Sequence, residues 1–456
     1  MIDRRRHPST GLCAAGRGPC VIYALLVSLG APSRAQTPER LPATVREVII
    51  RGNVRTQPQI ILREMGLRPG VRLSDEGLLR DRERVYNLQL FNRVDVDAHQ
   101  RGDSADVYVT VDERWYIYPY PVFDLVHRDP KKLVYGVGVT HQNLAGLNQK
   151  LFFEGVLGYD QWAMGTYRNP RFLGMEDLSF QGKVGYFDQH PLSRDSAVEY
   201  RQVAAVAGSS VGKRFGFYES VTAGAGIELW DVPLPALPLR QAGDGAVHRT
   251  ASSNGRDLFL TAYVQYVFDR RNLREYPTEG AFFSAVLSKD GFGESQVNLT
   301  HIGMDARRYD PVIDDLVLAS RVYGRWTNGG VVPTYRHVFF GYEERLRGSF
   351  LTVREGERQV GGNLELRFPL LSPRYYEARF IPMPQFSVLR YGLYLGLFVD
   401  AGAVWYRTQS FASAPWAGGA GAGLHFILPY GLTVRTEWAV DRTGNGELVL
   451  DVGASF

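Results

Sequence analysis

The sequence predicts a transmembrane antiparallel β-barrel of about sixteen strands, preceded by one small α+β domain. Three observations carry that prediction. From about residue 116 onward, apolar and polar residues alternate with period two through one segment after another, as in strands with one apolar and one polar face. After Ala35 no apolar run is long enough for a spanning helix, so any crossing falls to strands. The last segment places Leu448, Leu450, Val452, Ala454 and Phe456 on one face. A half-apolar terminal strand invites edge pairing in a soluble domain, whereas in a barrel that face meets lipid. Leu450, Val452 and Phe456 are therefore expected on the outer surface as the closing signal of the barrel. Aromatic content agrees, since 25 Tyr, 24 Phe and 7 Trp suit girdles at two membrane interfaces.

Residues 1–35 read as a secretory signal peptide. Arg4, Arg5, Arg6 and Arg17 precede an apolar core at residues 21–31, and Ser33-Arg34-Ala35 offers small residues for cleavage after Ala35. Both cysteines, Cys13 and Cys20, lie in this segment, so neither a disulfide framework nor a thiolate metal site is expected. The formal charge of +4 also originates there. Residues beyond 35 carry 47 basic and 47 acidic side chains, a balance that argues against nucleic acid as a partner.

Residues 41–113 form the small domain. Residues 45–51 are a strand ended by Gly52-Asn53, and Pro58 opens a short helix with Ile60, Ile61 and Met65 on its apolar side. Ser74 caps a second helix bearing Leu78, Val85 and Leu88, with Leu79 and Tyr86. Strands follow at 93–98 and 106–113. This β-α-α-β-β order resembles a POTRA domain, the periplasmic module of outer-membrane assembly proteins. The likeness rests on Val48-Ile49-Ile50-Arg51-Gly52-Asn53-Val54-Arg55-Thr56, on Leu90-Phe91-Asn92-Arg93-Val94-Asp95-Val96 and on residues 107–113.

Across residues 116–456, strands are expected to start near 116, 132, 149, 160, 177, 197, 213, 255, 279, 294, 313, 358, 389, 416, 430 and 446. Connections after odd strands then face outward, including the two longest, 231–256 and 328–357. A phase slip at 298–304 suggests a bulge, and 372–383 is long for a periplasmic turn. On adjoining strands Leu364, Leu366 and Phe368 point to lipid while Asn363, Glu365 and Arg367 point inward. Leu393, Leu395, Leu397 and Val399 likewise face out, leaving Phe398 and Asp400 inside. A lumenal carboxylate needs a partner, and Arg347, followed by Gly348, supplies a fork of donors if its loop folds back.

Leu346-Arg347-Gly348 resembles the loop tip of the BamA/TamA outer-membrane superfamily, and Phe398-Val399-Asp400-Ala401-Gly402 resembles its Phe-x-Asp-x-Gly strand motif. The segment from Asp269-Arg270-Arg271 to Pro277-Thr278-Glu279-Gly280 is similar to another turn of that family. The resemblance implies that Arg347 locks the sixth outer loop inside the lumen against Asp400, with Glu365 as a second acceptor. Ser349 departs from the family, which places an aromatic there; here Phe350 follows one residue later. The lock is either a stabilising device or a part of client handling.

Other motifs are weaker. Gly208-Ser209-Ser210-Val211-Gly212 fits G-x-S-x-G, but that nucleophile needs a strand–turn–helix context and strand-like sequence follows. Gly418-Gly419-Ala420-Gly421-Ala422-Gly423 reads as a strand allowing tight curvature. The histidines lack ligand spacing. The expectation is a non-enzymatic outer-membrane assembly protein without cofactor or metal. Its partners would be unfolded outer-membrane or secreted clients, outer-membrane lipid, and periplasmic or lipoprotein accessory factors. A two-partner-type secretion transporter or pore for a dedicated passenger is the alternative, and a lipid hydrolase using Ser210 is a third class.

Overall fold

The structure, a computed structural model, describes residues 43–126, 129–193, 200–233, 241–242, 245–293, 295–313, 315–453 and 456. The expected signal peptide, residues 1–35, lies outside the described residues. The first domain contains β1 (Thr44–Arg51), α1 (Pro58–Leu62), α2 (Asp75–Tyr86), β2 (Phe91–Arg101) and β3 (Ser104–Glu113). Its sheet has the order β1-β3-β2, with β1 parallel and β2 antiparallel to the central β3. Val107, Val109 and Val111 of β3 share a core with Ile60 and Ile61 from the first helix, Met65 just beyond its end, and Leu78, Val85 and Tyr86 from the second. As expected, the Ser74 hydroxyl accepts from Gly77 N at 3.0 Å. Leu79 is instead exposed, because the buried stripe runs through positions 78, 81 and 85. The middle of that stripe is Asp81, whose carboxylate accepts from Gly66 N and Leu67 N and so ties α2 to the turn after α1. Gly52, at φ +85°, sits where a Cβ would lie 2.0 Å from Val111 O, which explains the glycine that ends β1.

Sixteen antiparallel strands follow. The first seven are β4 (Ile117–Leu125), β5 (Leu133–Leu144), β6 (Gln149–Gly158), β7 (Gln161–Asn169), β8 (Leu178–Gln189), β9 (Gln202–Phe215) and β10 (Glu219–Asp231). A small hairpin, β11 (Gln241–Ala242) and β12 (Gly245–Ala246), stands in the next loop. The sheet resumes with β13 (Arg256–Asp269), β14 (Gly280–Asp290), β15 (Leu299–Ile313) and β16 (Leu316–Gly329). A second hairpin, β17 (Val338–Phe340) and β18 (Arg354–Gly356), interrupts the following loop. The sheet ends with β19 (Arg358–Glu377), β20 (Val388–Trp405), β21 (Trp416–Leu428), β22 (Leu432–Asp441) and β23 (Gly446–Val452); α3 (Pro384–Ser387) lies between β19 and β20. Every strand pairs with its sequence neighbour in the sheet from β4 to β23. Among the described residues no ladder joins β4 to β23, the two ends of the sheet. No described helix is long and apolar enough to cross a membrane. The strands carry the lipid face instead, with Val137, Leu258, Val322, Leu397, Val399, Leu448, Leu450 and Val452 exposed.

Three local expectations are corrected. Across residues 299–309 the ladders on both sides of β15 are continuous, and the register shift falls between Pro311 and Ile313. The apparent phase slip arises because Leu299 turns inward onto Trp230, Phe259 and Val332 beneath the loops. The first half of the expected long turn at 372–383 is strand, since β19 continues to Glu377. Finally, Leu450 is 69% exposed on the outer face, but Phe456 is only 6% exposed. Its carbonyl accepts from Tyr309 OH at 2.9 Å, and its ring packs with Tyr309, Val317 and Ala319. Gly453, at φ +114°, ends the alternation before the outer face can continue.

The first domain is seated against one mouth of the barrel. Only residues 114–116 separate β3 from β4, and both ends are pinned: Arg114 N donates to Leu90 O, and buried Tyr116 bonds Thr56 Oγ1 at 2.9 Å. Glu64 takes a two-pronged contact from Arg214 of β9 at 2.5 and 2.6 Å. Glu275, in the turn between β13 and β14, accepts from Tyr86, Arg114 and Arg390. Burial, and then the charge of Glu275, pushes the Tyr86 phenol up to about 12. It therefore remains a donor at neutral pH.

Candidate functional site: a loop anchored in the lumen

The loop between β16 and β19 occupies the expected place between the eleventh and twelfth barrel strands. It folds back so that Arg347 is 4% exposed. Its guanidinium spans three carboxylates from three strands. Nε and Nη2 fork onto Asp400 of β20 at 2.8 and 2.7 Å, and the Arg347 backbone N–H reaches the same group at 3.0 Å. Nη1 is shared between Glu365 of β19 and Glu437 of β22. Such a forked, fully desolvated contact is geometry that Lys cannot reproduce.

The neighbouring motif residues make room for this arrangement. The Arg347 guanidinium lies 3.8 Å from the ring centre of Phe398. Gly348 has φ +86°, and a Cβ there would stand 2.7 Å from the Cα of Gly419. The glycine-rich part of β21 therefore receives the loop. Gly419 faces Gly348, and Gly421 leaves space for the Phe398 ring. Gly402 does the same for Phe340 of β17, whose ring would be 2.7 Å from a Cβ at that position. Leu346 packs with Tyr323, Val338, Phe340, Val404 and Ala417. Phe350, one residue after the position where an aromatic was expected, is buried beneath Arg345, and its N–H donates to Glu447 at 2.8 Å.

The structure brings Arg347, Asp400 and Glu365 together and adds Glu437, which the sequence analysis did not name as part of the site. Behind it lies a larger polar chain. Glu437 accepts from Arg435 and faces His425 Nε2 at 3.1 Å, while His425 Nδ1 faces Tyr276 OH at 2.8 Å. Arg367 donates to Glu365 and to Pro277 O, and its guanidinium lies 4.5 Å from the centre of the Tyr276 ring. Thus the turn holding Glu275 against the first domain also sends Tyr276 and Pro277 into the loop anchor. A second anchor joins Glu344 of the loop to Arg321, which also binds Asp305. The strand members of these networks, Arg321, Arg367, His425, Arg435 and Glu437, lie at inward, buried positions of the alternation, but alternation does not say which inward groups meet.

Glu365, His425 and Glu437 place ligand atoms within 4.8 Å of one another, as a metal site would. Their carboxylates are already covered by Arg347, Arg367 and Arg435, a donor set of cations that opposes a further cation. Ser210 lies mid-strand in β9, paired to Gln181 and Gly224, which is not the strand–turn–helix elbow a G-x-S-x-G nucleophile needs.

A sixteen-stranded barrel plugged by its own loop, and carried behind a β-α-α-β-β domain at one mouth, defines a class of outer-membrane barrels. The chain belongs to the Omp85 superfamily: the Omp85 superfamily domain matches residues 143–447, and a POTRA domain (surface antigen variable number repeat) matches residues 43–114. It is similar to the outer membrane protein assembly factor BamA of Nitratidesulfovibrio vulgaris, with 23% identity over 341 residues. That alignment covers 68% of this chain and 38% of the relative, so the chain spans well under half of that protein's length. The fold is similar to BamA from Haemophilus ducreyi lacking POTRA domains 1–3, with a TM-score of 0.51 and 19% identity, over 90% of this chain and 83% of the other. It is also similar to CdiB from Escherichia coli, with a TM-score of 0.50 and 11% identity, over 93% and 91%. The barrel is an outer-membrane barrel with its POTRA domain in the periplasm. The mouth at the POTRA domain is therefore periplasmic.

Proposed function

We propose that the chain is a non-enzymatic insertase for outer-membrane β-barrel clients. The POTRA sheet receives an extended client strand by edge addition, and the barrel seam then templates the client into the membrane. The observation that carries this reading is the contrast between lumen and seam. The lumen is filled by a loop whose Arg347 is held by three buried carboxylates, whereas among the described residues no ladder joins β4 to β23. A route through the wall is thus less obstructed than a route through the pore. Such chemistry needs no nucleophile, metal or nucleotide. Clients, lipid and periplasmic or lipoprotein accessory factors are the partners of this reading.

The test is the folding rate of an urea-unfolded outer-membrane barrel added to liposomes carrying the full chain, against empty liposomes. Acceleration is expected, and its absence with several clients would remove the insertase reading. The second reading, a secretion transporter for one passenger, requires the loop to vacate the lumen. Sizeable single-channel conductance together with no client acceleration would favour it.

A further inference from the structure

The inward faces of four consecutive strands place a row of hydrogen-bond donors behind the POTRA domain. On β6, Leu151 and Phe153 are exposed on the outer face, so Lys150 points into the lumen. The register sets Lys150 opposite Arg168 of β7, Arg168 opposite Gln181 of β8, and Gln181 opposite Ser210 of β9. Directly opposed residues share a face, with Cβ atoms about 5 Å apart. The row therefore reads cation, cation, amide, hydroxyl. It continues through Gly224 of β10 to Tyr263 of β13. A Cβ at Gly224 would stand 2.3 Å from the Tyr263 ring, so the glycine leaves that ring its place. Lys150, Arg168, Gln181, Ser210 and Tyr263 line one chamber of about 430 Å³, together with Arg63 and Asn87 of the POTRA domain.

Like charges directly opposed in a ladder repel, and nothing in the protein offsets this pair. Elsewhere in the lumen Arg321, Arg347, Arg367 and Arg435 each meet a carboxylate. Neither Lys150 nor Arg168 has a hydrogen bond or an ion pair among the described residues. The charged groups that act on Lys150 are Arg168, Arg274 and Arg114, all of its own sign. The four carboxylates that line the chamber are engaged elsewhere. Glu64 holds Arg214, Asp269 holds Arg271 and Arg274, Asp177 pairs with Lys213, and Glu219 accepts from Tyr266. Glu154, the next acid on the inward face of β6, is about 13 Å further along the strand. It already accepts from Tyr120 and Trp162.

We propose that this row is a binding site for a phosphate monoester. Two fixed cations call for a dianion. A phosphate monoester carries a charge of about −1.5 to −2 near neutral pH, whereas a carboxylate would leave one cation unmatched. All four side chains of the row donate: the Lys150 ammonium, the Arg168 fork, the Gln181 amide and the Ser210 hydroxyl. A phosphate monoester presents three terminal oxygens that accept. Asn148 also lines the chamber, and its Oδ1 is buried with no hydrogen-bond partner among the described residues. A hydroxyl of an esterified sugar or polyol would satisfy it. A chamber of this volume takes a small molecule or a headgroup. A soluble phosphorylated polyol and the headgroup of a monoester lipid carry the same group. The site makes no use of a client or of the loop anchor, so it stands apart from the insertase reading.

The test is isothermal titration of the full chain in uncharged detergent micelles and phosphate-free buffer, with glycerol phosphate as the probe. Saturable binding is expected. Lys150→Gln and Arg168→Gln should each weaken it about ten-fold or more, since each removes one charge-assisted contact. No saturable binding, or binding that both variants leave unchanged, would overturn the proposal. A tetraglutamate peptide that binds more tightly, with the same dependence on the two cations, would also overturn it and make the occupant an acidic protein segment. Micelles doped with phosphatidic acid separate the two sources of the group. Loss of glycerol phosphate binding there supports a lipid headgroup, and its retention supports a soluble ester. A second measurement reads the repulsion itself. Without phosphate, Arg168→Gln is expected to raise the urea midpoint of the full chain, because it relieves the opposed pair. Glycerol phosphate should then stabilise the unsubstituted chain more than the variant, and equal stabilisation of the two would count against the site.

Discussion

At the scale of single residues, the anchor concentrates its consequences on Arg347 and Gly348. Arg347→Ala leaves Asp400, Glu365 and Glu437 buried without their shared cation, and breaking a buried pair in this way costs about 3–5 kcal/mol. The loop at 330–357 is expected to become protease-sensitive while the strands remain protected, which limited proteolysis in detergent would read. Arg347→Lys keeps the charge but not the fork, so partial protection is expected; full protection would show that charge alone suffices. Gly348→Ala must place a Cβ at φ +86° and against the Gly419 backbone. A loss of about 1–3 kcal/mol in the unfolding equilibrium is expected, with the barrel strands still formed. Tyr86 carries a pH prediction. Its folded value is raised, so its hydroxyl's contribution to docking is fully present below the ordinary phenol value of 10.0 and is lost as pH rises through about 12. Tyrosinate absorbance, compared with Tyr86→Phe, would detect that late titration.

At the scale of elements, the turn between β13 and β14 has two jobs on adjacent residues. Glu275 binds the POTRA domain and Arg390, while Tyr276 reaches His425 and, through Glu437, the Arg347 anchor. Tyr276→Phe removes one link at a cost of about 1 kcal/mol. Hydrogen exchange is expected to rise in the loop at 330–357, and unchanged exchange there would show that the chain of bonds does not couple the two. Strand positions were largely legible in the sequence because period two is imposed by the pleat itself, and the expected starts fall within six residues of those observed, with the largest offsets at 197, 213 and 294. The alternation of β22, which turns Arg435 and Glu437 inward, where both are buried, was legible in the same way. Their partners were not, because a meeting across the lumen depends on the closure of the barrel rather than on any neighbour in sequence. Phe456 was misplaced for a related reason: alternation predicts the outer face until a glycine at positive φ ends the strand, and only Gly453 hinted at that.

At the scale of the whole molecule, the proposed function rests on three placements: a loop-filled lumen, a sheet whose ends β4 and β23 share no ladder among the described residues, and a POTRA domain tied to the periplasmic mouth. Arg214→Ala is expected to loosen that tie by leaving buried Glu64, among the described residues, with the more distant Arg63 at 3.9 Å. Client folding in liposomes should slow even though seam and loop anchor are untouched; an unchanged rate would separate docking from activity. The connection between POTRA domain and barrel carries one more implication. Three residues, 114–116, lead from the central strand of the periplasmic sheet into β4, and both Arg114 and Tyr116 are buried. So short a stretch, about 10 Å at full extension, leaves no slack to act as a hinge. Tilting of the POTRA domain must then be delivered as leverage to the foot of β4, the strand that begins the sheet.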